Sequence, residues 1–338
     1  MRPLVHKLPR LRLAQLPTPL EEAPRLSAAL GGPRILLKRD DLTGGALGGN
    51  KVRKLEFLIG RALADGCDAL VVCGGFQSNM ARAAAAMGNR LGLKVALVLG
   101  GEPGEPRPVV GNLLLDRLYG ATVRTIDTEP RWEFGTAVEE MADELRSKGL
   151  RPYILPLGGS GPEGMAGYVD ATEELLGQLQ SLEVRPSRLY VAVGSGGTFC
   201  GLVLGALNYG APYQVVGVSV SRTREYLLDQ LPRATHHAAA SLGLPQQPGR
   251  EQLALEDSYV GPGYGVMTAG CREAIALMAR TEGVLLDPVY SGKALYCLID
   301  HVRTGRIASS ETVVFLHTGG WPALFAYGST ELGVSADP

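Results

Sequence analysis

Short runs of β-branched and aliphatic residues alternate with longer helical patterns through most of this chain, and that alternation restricts its fold more than any other feature. Leu70-Val71-Val72 is followed by a helical pattern from Ser78 to Leu91 and then by Val95 to Leu99. The series continues with a helical Asn112 to Tyr119, an extended Thr122 to Ile126, a helical Glu133 to Lys148 and an extended Tyr153 to Leu155. A second series runs from a helical Gly164 to Gln180 through a strand at Leu189 to Val193, a helix at Gly201 to Leu207 and a strand at Val215 to Val220. It closes with helices at Thr268 to Glu282 and Gly292 to Arg303, a strand at Val313 to Leu316 and a short helix after Pro322. Strands alternating with helices of this size predict βαβ units on parallel-rich sheets flanked by helices, an α/β fold. Thr235 to Glu256, rich in Pro, Gln and Ala, is the least patterned stretch and is expected to be a surface excursion.

A chain of 338 residues, 45% of them hydrophobic, is long enough for a two-lobed unit or two domains. The expected division is a small α/β domain over 53–160 and a large domain built from 1–52 and 161–338, with the segment Leu36 to Asp41 packing back on the second lobe. A net charge of −1 carries no electrostatic footprint for nucleic acid or an anionic membrane. No apolar run reaches membrane-spanning length, and the residues from Met1 to Leu20 lack the apolar core of a signal peptide, so a cytoplasmic protein is expected. The five cysteines are scattered and form no Cys-x-x-Cys pair, and His236-His237 has no third ligand at a useful spacing. Neither a disulfide framework nor a metal site is expected.

Three glycine-bearing segments carry the chemistry. In Gly48-Gly49-Asn50-Lys51-Val52-Arg53-Lys54-Leu55-Glu56 a lysine follows a glycine turn and opens an amphipathic helix. Val52 stands where a P-loop needs Ser or Thr, so magnesium could not be held there. An amine on such a turn is placed to attack a carbonyl while neighbouring helix-terminal N–H groups hold an anion, a combination suited to pyridoxal phosphate. A lysine on a solvated helix start is the plain alternative. Leu189 to Val193 runs into Gly194-Ser195-Gly196-Gly197-Thr198 and then into helix, which reads as a phosphate cradle or as an ordinary tight βα turn. Gly74-Gly75-Phe76-Gln77-Ser78-Asn79 lies between a strand and a helix, where Ser78 and Asn79 can cap the helix, hold a substrate carboxylate or cofactor oxygen, or do both. Gly159-Ser160-Gly161-Pro162-Glu163-Gly164 matches the dinucleotide pattern, but the next strand ends in Val193-Gly194-Ser195 with no acid for a ribose, and Pro162 removes a donor.

Taken together and in order, the Lys51 segment, Gln77-Ser78-Asn79, Gly194 to Thr198, Pro262-Gly263-Tyr264-Gly265-Val266, Asp287-Pro288-Val289-Tyr290-Ser291-Gly292-Lys293 and His317-Thr318-Gly319-Gly320 resemble the D-cysteine desulfhydrase and 1-aminocyclopropane-1-carboxylate deaminase family. The resemblance runs from Leu11 to Tyr327. It implies the two-lobed fold of the tryptophan synthase β-subunit (fold type II), a homodimer, and a small amino-acid substrate. It further implies that Lys51 carries pyridoxal 5'-phosphate and shuttles the Cα proton. Asn79 would meet the cofactor's phenolic oxygen and Ser78 the substrate carboxylate. Lys54 would join Gly194, Ser195, Gly196, Gly197 and Thr198 around the phosphate, and Tyr264 and Tyr290 would line the pocket as ring contacts and proton donors or acceptors.

The deaminase pattern has Glu directly after the pocket tyrosine, where this chain has Ser291, and Thr318 matches the desulfhydrase pattern. Hydroxyls facing the pyridine nitrogen cannot enforce its protonation, which favours β-elimination over ring opening. Met80 stands where desulfhydrases have His, Phe76 and Trp321 are bulkier than usual, and the N-terminal Leu8 to Leu20 also resembles L-cysteate sulfo-lyases.

Overall fold

The computed structural model describes residues 4–104, 106–128 and 133–334. Its strands are β1 (Leu20–Glu22), β2 (Arg34–Lys38), β3 (Ala69–Gly75), β4 (Lys94–Gly101), β5 (Thr122–Asp127), β6 (Pro152–Ile154), β7 (Arg188–Val193), β8 (Gln214–Ser219), β9 (Ala254–Glu256) and β10 (Thr312–Leu316). The α-helices are α1 (Pro24–Ala29), α2 (Asn50–Ala64), α3 (Asn79–Arg90), α4 (Gly111–Leu118), α5 (Ala137–Ser147), α6 (Pro162–Ser181), α7 (Gly197–Tyr209), α8 (Arg224–Ser241), α9 (Ala269–Glu282), α10 (Ser291–Arg303) and α11 (Ser329–Leu332).

Two sheets organise these elements. The smaller has the order β5-β4-β3-β6 and is parallel throughout; the larger runs β1-β2-β10-β7-β8-β9 and is parallel except where β1 pairs antiparallel with β2. Every residue of β3 is buried, as expected for a central strand covered on both faces, and its Leu-Val-Val run supplies the apolar side chains. The small sheet packs α2 and α3 on one face, through Leu55, Leu58, Ala84 and Leu97, and α5 on the other, through Met141 and Val98. The large sheet is likewise covered twice, by α6, α7 and α8 on one face and by α1, α9 and α10 on the other. The α/β reading with parallel-rich sheets holds.

One segment differs from the expectation. Thr235 to Ser241, read as part of a surface excursion, completes α8, so His236 and His237 are helical. The buried stripe of this helix is Leu227, Leu228, Leu231, Thr235, Ala238 and Ala239, and its later positions are too weakly apolar to register as a period. Pro232 inside the helix further masks it. The segment Leu36 to Asp41 packs back on the second lobe through the end of β2, which pairs with β10 within the large sheet.

Candidate active site

The glycine turn before Lys51 is dictated by close approach. Gly48 has φ +71, and a Cβ on it would lie 1.8 Å from the Asp41 carbonyl oxygen; Gly49 has φ +111. Asn50 then donates its backbone N–H to the Thr318 carbonyl oxygen (3.0 Å), which stitches the start of α2 to the His317-Thr318-Gly319-Gly320 loop. One turn further, Arg53 is buried and forks onto Asp40, with Nε 2.9 Å and Nη2 3.0 Å from its two oxygens, and also reaches Glu174 at 2.7 Å. Tyr168 donates to the same Asp40 at 2.6 Å. Burial would disfavour the Asp40 charge, but the Arg53 guanidinium and these hydrogen bonds hold its carboxyl below the usual range. Helix α2 is therefore locked at the depth from which Lys51 projects.

Lys51 opens into a cavity of about 360 Å³ at the carboxyl ends of β3 and β7, where the N-termini of α3 and α7 converge. This is where ligands of open parallel sheets bind. Burial lowers the Lys51 pKa from 10.5 to about 8, so near neutrality a larger fraction is the nucleophilic free amine than for an exposed lysine. Among the described residues lining the cavity there is no carboxylate.

Gly194 to Thr198 form one wall. Gly196 takes the left-handed conformation at φ +86 as the N-cap of α7, and a Cβ on Gly197 would lie 2.7 Å from both Lys54 Nζ and Ser160 Oγ. Ser160 accepts from the Gly197 N–H (3.1 Å) and donates to Ser195 Oγ (2.7 Å), bracing this loop against the segment before α6. Thr198 Oγ1 accepts from Asn50 Nδ2 at 2.9 Å, which leaves its own proton to donate. The N–H groups at the start of a 13-residue helix, glycine-lined and backed by an amine, make an anion seat. Lys54 itself does not line the cavity: it is fully buried behind the loop, donating to the Gly158 carbonyl oxygen at 2.7 Å. Burial first, and the Lys51 charge second, push its pKa well down. The dinucleotide-like Gly159 to Gly164 is a helix start with Pro162 in the first turn of α6, and a Cβ on Gly164 would sit 1.9 Å from the Gly159 carbonyl oxygen.

The opposite wall carries Ser78 and Asn79. Ser78 caps α3, accepting from the Ala81 N–H at 3.2 Å, so its hydroxyl proton stays free while the helix start points at the cavity. Tyr264 and Tyr290 also line it, their hydroxyls 2.6 Å apart and both pushed up in pKa by burial, so both stay protonated. Thr318 lines it as well. Next to Thr318, His317 accepts from the Gly319 N–H at Nδ1 (3.2 Å) and lies 2.9 Å from the Leu285 carbonyl oxygen through Nε2, an arrangement that fits the neutral ring; burial lowers its pKa.

Ser291 is a correction. The family resemblance has it facing the ring nitrogen, but it is fully buried and does not line the cavity. Its hydroxyl accepts from the Asp287 N–H at 2.8 Å and donates to Asp287 Oδ1 at 2.5 Å, while the Ser291 N–H meets the same oxygen at 2.8 Å. Position 291 begins α10, and its hydroxyl is committed to the turn that enters that helix. All the other expected site residues except Lys54 reach the cavity wall.

Comparison with known proteins follows this geometry. Residues 11–319 match the family model described as pyridoxal-phosphate dependent enzyme. The chain belongs to that family. A Pyrococcus abyssi protein named "Putative 1-aminocyclopropane-1-carboxylate deaminase" is 39% identical over 97% of this chain and 97% of its own length. The crystal structure of an ACC deaminase homologue superposes with a TM-score of 0.89 at 38% identity, covering 98% of this chain and 97% of that one. The threonine deaminase isoform 2 of Solanum lycopersicum, in its processed form and 17% identical, shares the fold at a TM-score of 0.65 over 94% of this chain and 87% of its own.

The protein is thus a fold type II pyridoxal 5'-phosphate enzyme, and its own residues fit that cofactor. The cavity combines one amine of lowered pKa with a glycine cradle at a helix start, where the close approach of Lys54 and Ser160 leaves no room for a Cβ on Gly197. Sequence reasoning missed Ser160, whose cue is only its place beside the dinucleotide-like glycines, and Asn50, which sits inside the Lys51 motif. It also missed Arg222, which lines the cavity from the turn after β8 and carries no motif.

Proposed function

We propose that this enzyme is a lyase that eliminates the β-substituent of a small β-substituted amino acid, in the manner of a D-cysteine desulfhydrase. The observation that supports it best is Thr318 on a cavity wall whose described lining residues include no carboxylate. Without an acid, nothing on that wall enforces a proton on the cofactor's ring nitrogen, and a good leaving group at Cβ then departs more readily than a cyclopropane ring opens. When bound, the cofactor supplies the electron sink for the charge left at Cα.

This chain's residues supply the rest. Lys51 would hold the cofactor through Nζ, and its free amine would take the Cα proton. Ser78 and the N–H groups at the start of α3 seat the substrate carboxylate. Gly194 to Thr198 hold the phosphate, Asn79 meets the phenolic oxygen, and the protonated Tyr264–Tyr290 pair can give a proton to the departing group. For D-cysteine the Cα–H and Cβ–S bonds break, sulfide leaves, and the released enamine takes up water to give pyruvate and ammonia.

Ring opening of 1-aminocyclopropane-1-carboxylate is the second reading, favoured by the name of the Pyrococcus abyssi relative. A panel of β-substituted D- and L-amino acids, with cysteate among them, separates the two by product. Pyruvate from D-cysteine or β-chloro-D-alanine, with no 2-oxobutyrate from the cyclopropane substrate, is the expected result; efficient 2-oxobutyrate release sinks the desulfhydrase reading. The domain division at 53–160, a homodimer and a cytoplasmic location belong to the same proposal. The division is supported by the strands of the small sheet all falling between residues 69 and 154, and its outermost residues 1–3 and 335–338 lie outside the described ones. No helix among the described residues is long and apolar enough to cross a membrane.

A further inference from the structure

Behind the cavity wall that carries Asn79, helices α3 and α4 meet through polar side chains as well as apolar ones. Asn79 and Arg82, three apart on α3, face Asn112 and Asp116, four apart on α4, so each helix presents two polar groups one turn from each other. All four are buried, Asn112 and Asp116 completely. Polar groups are costly in such a seam unless they do something for one another.

The upper rung is a direct hydrogen bond. Asn112 Nδ2 donates to Asn79 Oδ1 at 2.9 Å and, at the same distance, to the Gln77 carbonyl oxygen. Gln77 reciprocates: its Oε1 accepts from the Asn112 N–H at 2.8 Å and its Nε2 donates to the Val110 carbonyl oxygen at 3.1 Å. The start of α4 is thereby fixed against the segment 77–79, and Asn112 cannot rotate away without breaking both side-chain bonds. With its oxygen occupied, Asn79 has only its NH2 group left to present to the cavity.

The lower rung is not a direct contact: among the described residues neither Asp116 carboxyl oxygen has a hydrogen-bond partner. Arg82 Nη2 donates to the Gly48 carbonyl oxygen at 3.2 Å, in the turn from which Lys51 projects. Burial pushes the Asp116 carboxyl up to about 8, so it is largely protonated near neutrality, and pushes the Arg82 guanidinium down to about 10, each shift partly offset by the other group. One buried layer therefore touches both the Asn79 amide and the lysine turn.

We propose that Asn112 is a positioning residue that sets which end of the Asn79 amide faces the cofactor, presenting a donor rather than an acceptor to its phenolic oxygen. The inference rests on the reading that Asn79 meets that oxygen. A donor there stabilises the ionised oxygen, and an amide turned round would place a lone pair against it. Asn112→Asp removes the donor and offers an acceptor in the same shape, so it favours the turned amide.

The test is a double-mutant cycle on the holoenzyme, read by titrating its visible absorbance with pH and by cofactor affinity, with thermal unfolding as the check on folding. Asn79→Ala is expected to raise the pH at which the absorbance changes by about one unit, the scale of one charge-assisted hydrogen bond. Asn112→Asp is expected to raise it as well, and to add nothing in the Asn79→Ala background. If Asn79→Ala leaves the titration unmoved, the assignment of Asn79 to the phenolic oxygen fails. If Asn79→Ala moves it but Asn112→Asp does not, or if the two shifts add, Asn112 does not act through Asn79 and the inference is overturned. Should Asn112→Asp fail to fold, Asn112→Leu takes its place in the same cycle, with the same readings.

Discussion

Lys54 Nζ donates to the Gly158 carbonyl oxygen at 2.7 Å, while Lys51 Nζ stands 3.5 Å from the same oxygen, too far for a good hydrogen bond. Two buried amines thus share one acceptor, and Lys54 holds it. The lysine that faces the cavity is left poorly solvated, without a strong partner, and ready to give up its proton.

This asymmetry fixes a pH dependence. Burial disfavours the charged form of Lys51, so the neutral amine predominates above about 8 instead of above the ordinary 10.5. The rate at which cofactor-free enzyme captures pyridoxal phosphate should therefore climb with pH and level off past about 8, as followed by absorbance after rapid mixing. A rate still climbing toward a pH of about 10 would show a lysine with ordinary solvation. Borohydride reduction followed by peptide mapping should place the label on Lys51, and Lys51→Ala should abolish turnover; label on Lys54 or Lys293 would refute the assignment.

Arg53 is where the presentation of Lys51 depends on a buried charge. Its guanidinium forks onto Asp40 and reaches Glu174, and all three groups come from different parts of the chain. Removing one partner of a buried pair leaves the other uncompensated, at a cost of about 3–5 kcal/mol. Arg53→Met should lower unfolding free energy by that order in urea titration. Arg53→Lys should recover only part of it, because an ammonium cannot reproduce the planar fork. A loss below about 1 kcal/mol, the scale of an exposed pair, would show that the cluster is solvated.

Much of this architecture is legible in the sequence because a parallel sheet writes itself as apolar runs. Leu70-Val71-Val72 and Leu189 to Val193 each sit in a central strand, and each is followed by glycines at a helix start. The same clarity puts Ser78 and Thr198 on the cavity wall, since a residue just after a strand at the N-terminus of a helix has little choice of direction. What the sequence conceals depends on contacts between distant segments. Lys54, three residues from Lys51, reads as a phosphate ligand, but Gly158 draws its amine behind the glycine loop. Ser291 follows the pocket tyrosine, but Asp287 claims its hydroxyl. Helix α8 hides because Thr235 and two alanines stand where a clear apolar stripe would have leucines.

Thr198 tests the phosphate seat. Its oxygen accepts from Asn50, so its proton is available to an anion held by the N–H groups of the loop. A hydrogen bond to a charged group contributes about 1.5–3 kcal/mol. Thr198→Ala should then weaken cofactor affinity more than tenfold in equilibrium titration, without moving the borohydride label from Lys51. Unchanged affinity would make Gly194 to Thr198 an ordinary βα turn.

Ser291 distinguishes a structural from an electronic role at the position directly after the cavity-lining Tyr290. Asp287 is fully buried, and burial raises its pKa; the Ser291 hydroxyl and the N–H groups of Val289, Tyr290 and Ser291 act against that rise. Ser291→Ala removes one partner from a buried carboxylate, which costs about 1–3 kcal/mol. The expected result is a lower unfolding free energy with the visible spectrum of the holoenzyme unchanged. Ser291→Glu should be worse, because it adds a second, bulkier carboxylate next to Asp287 at the fully buried first position of α10. The opposite pattern, a shifted spectrum in Ser291→Ala at undiminished stability, would show that the hydroxyl addresses the cofactor ring after all. In that case Thr318 could no longer be treated as the hydroxyl that decides between β-elimination and ring opening.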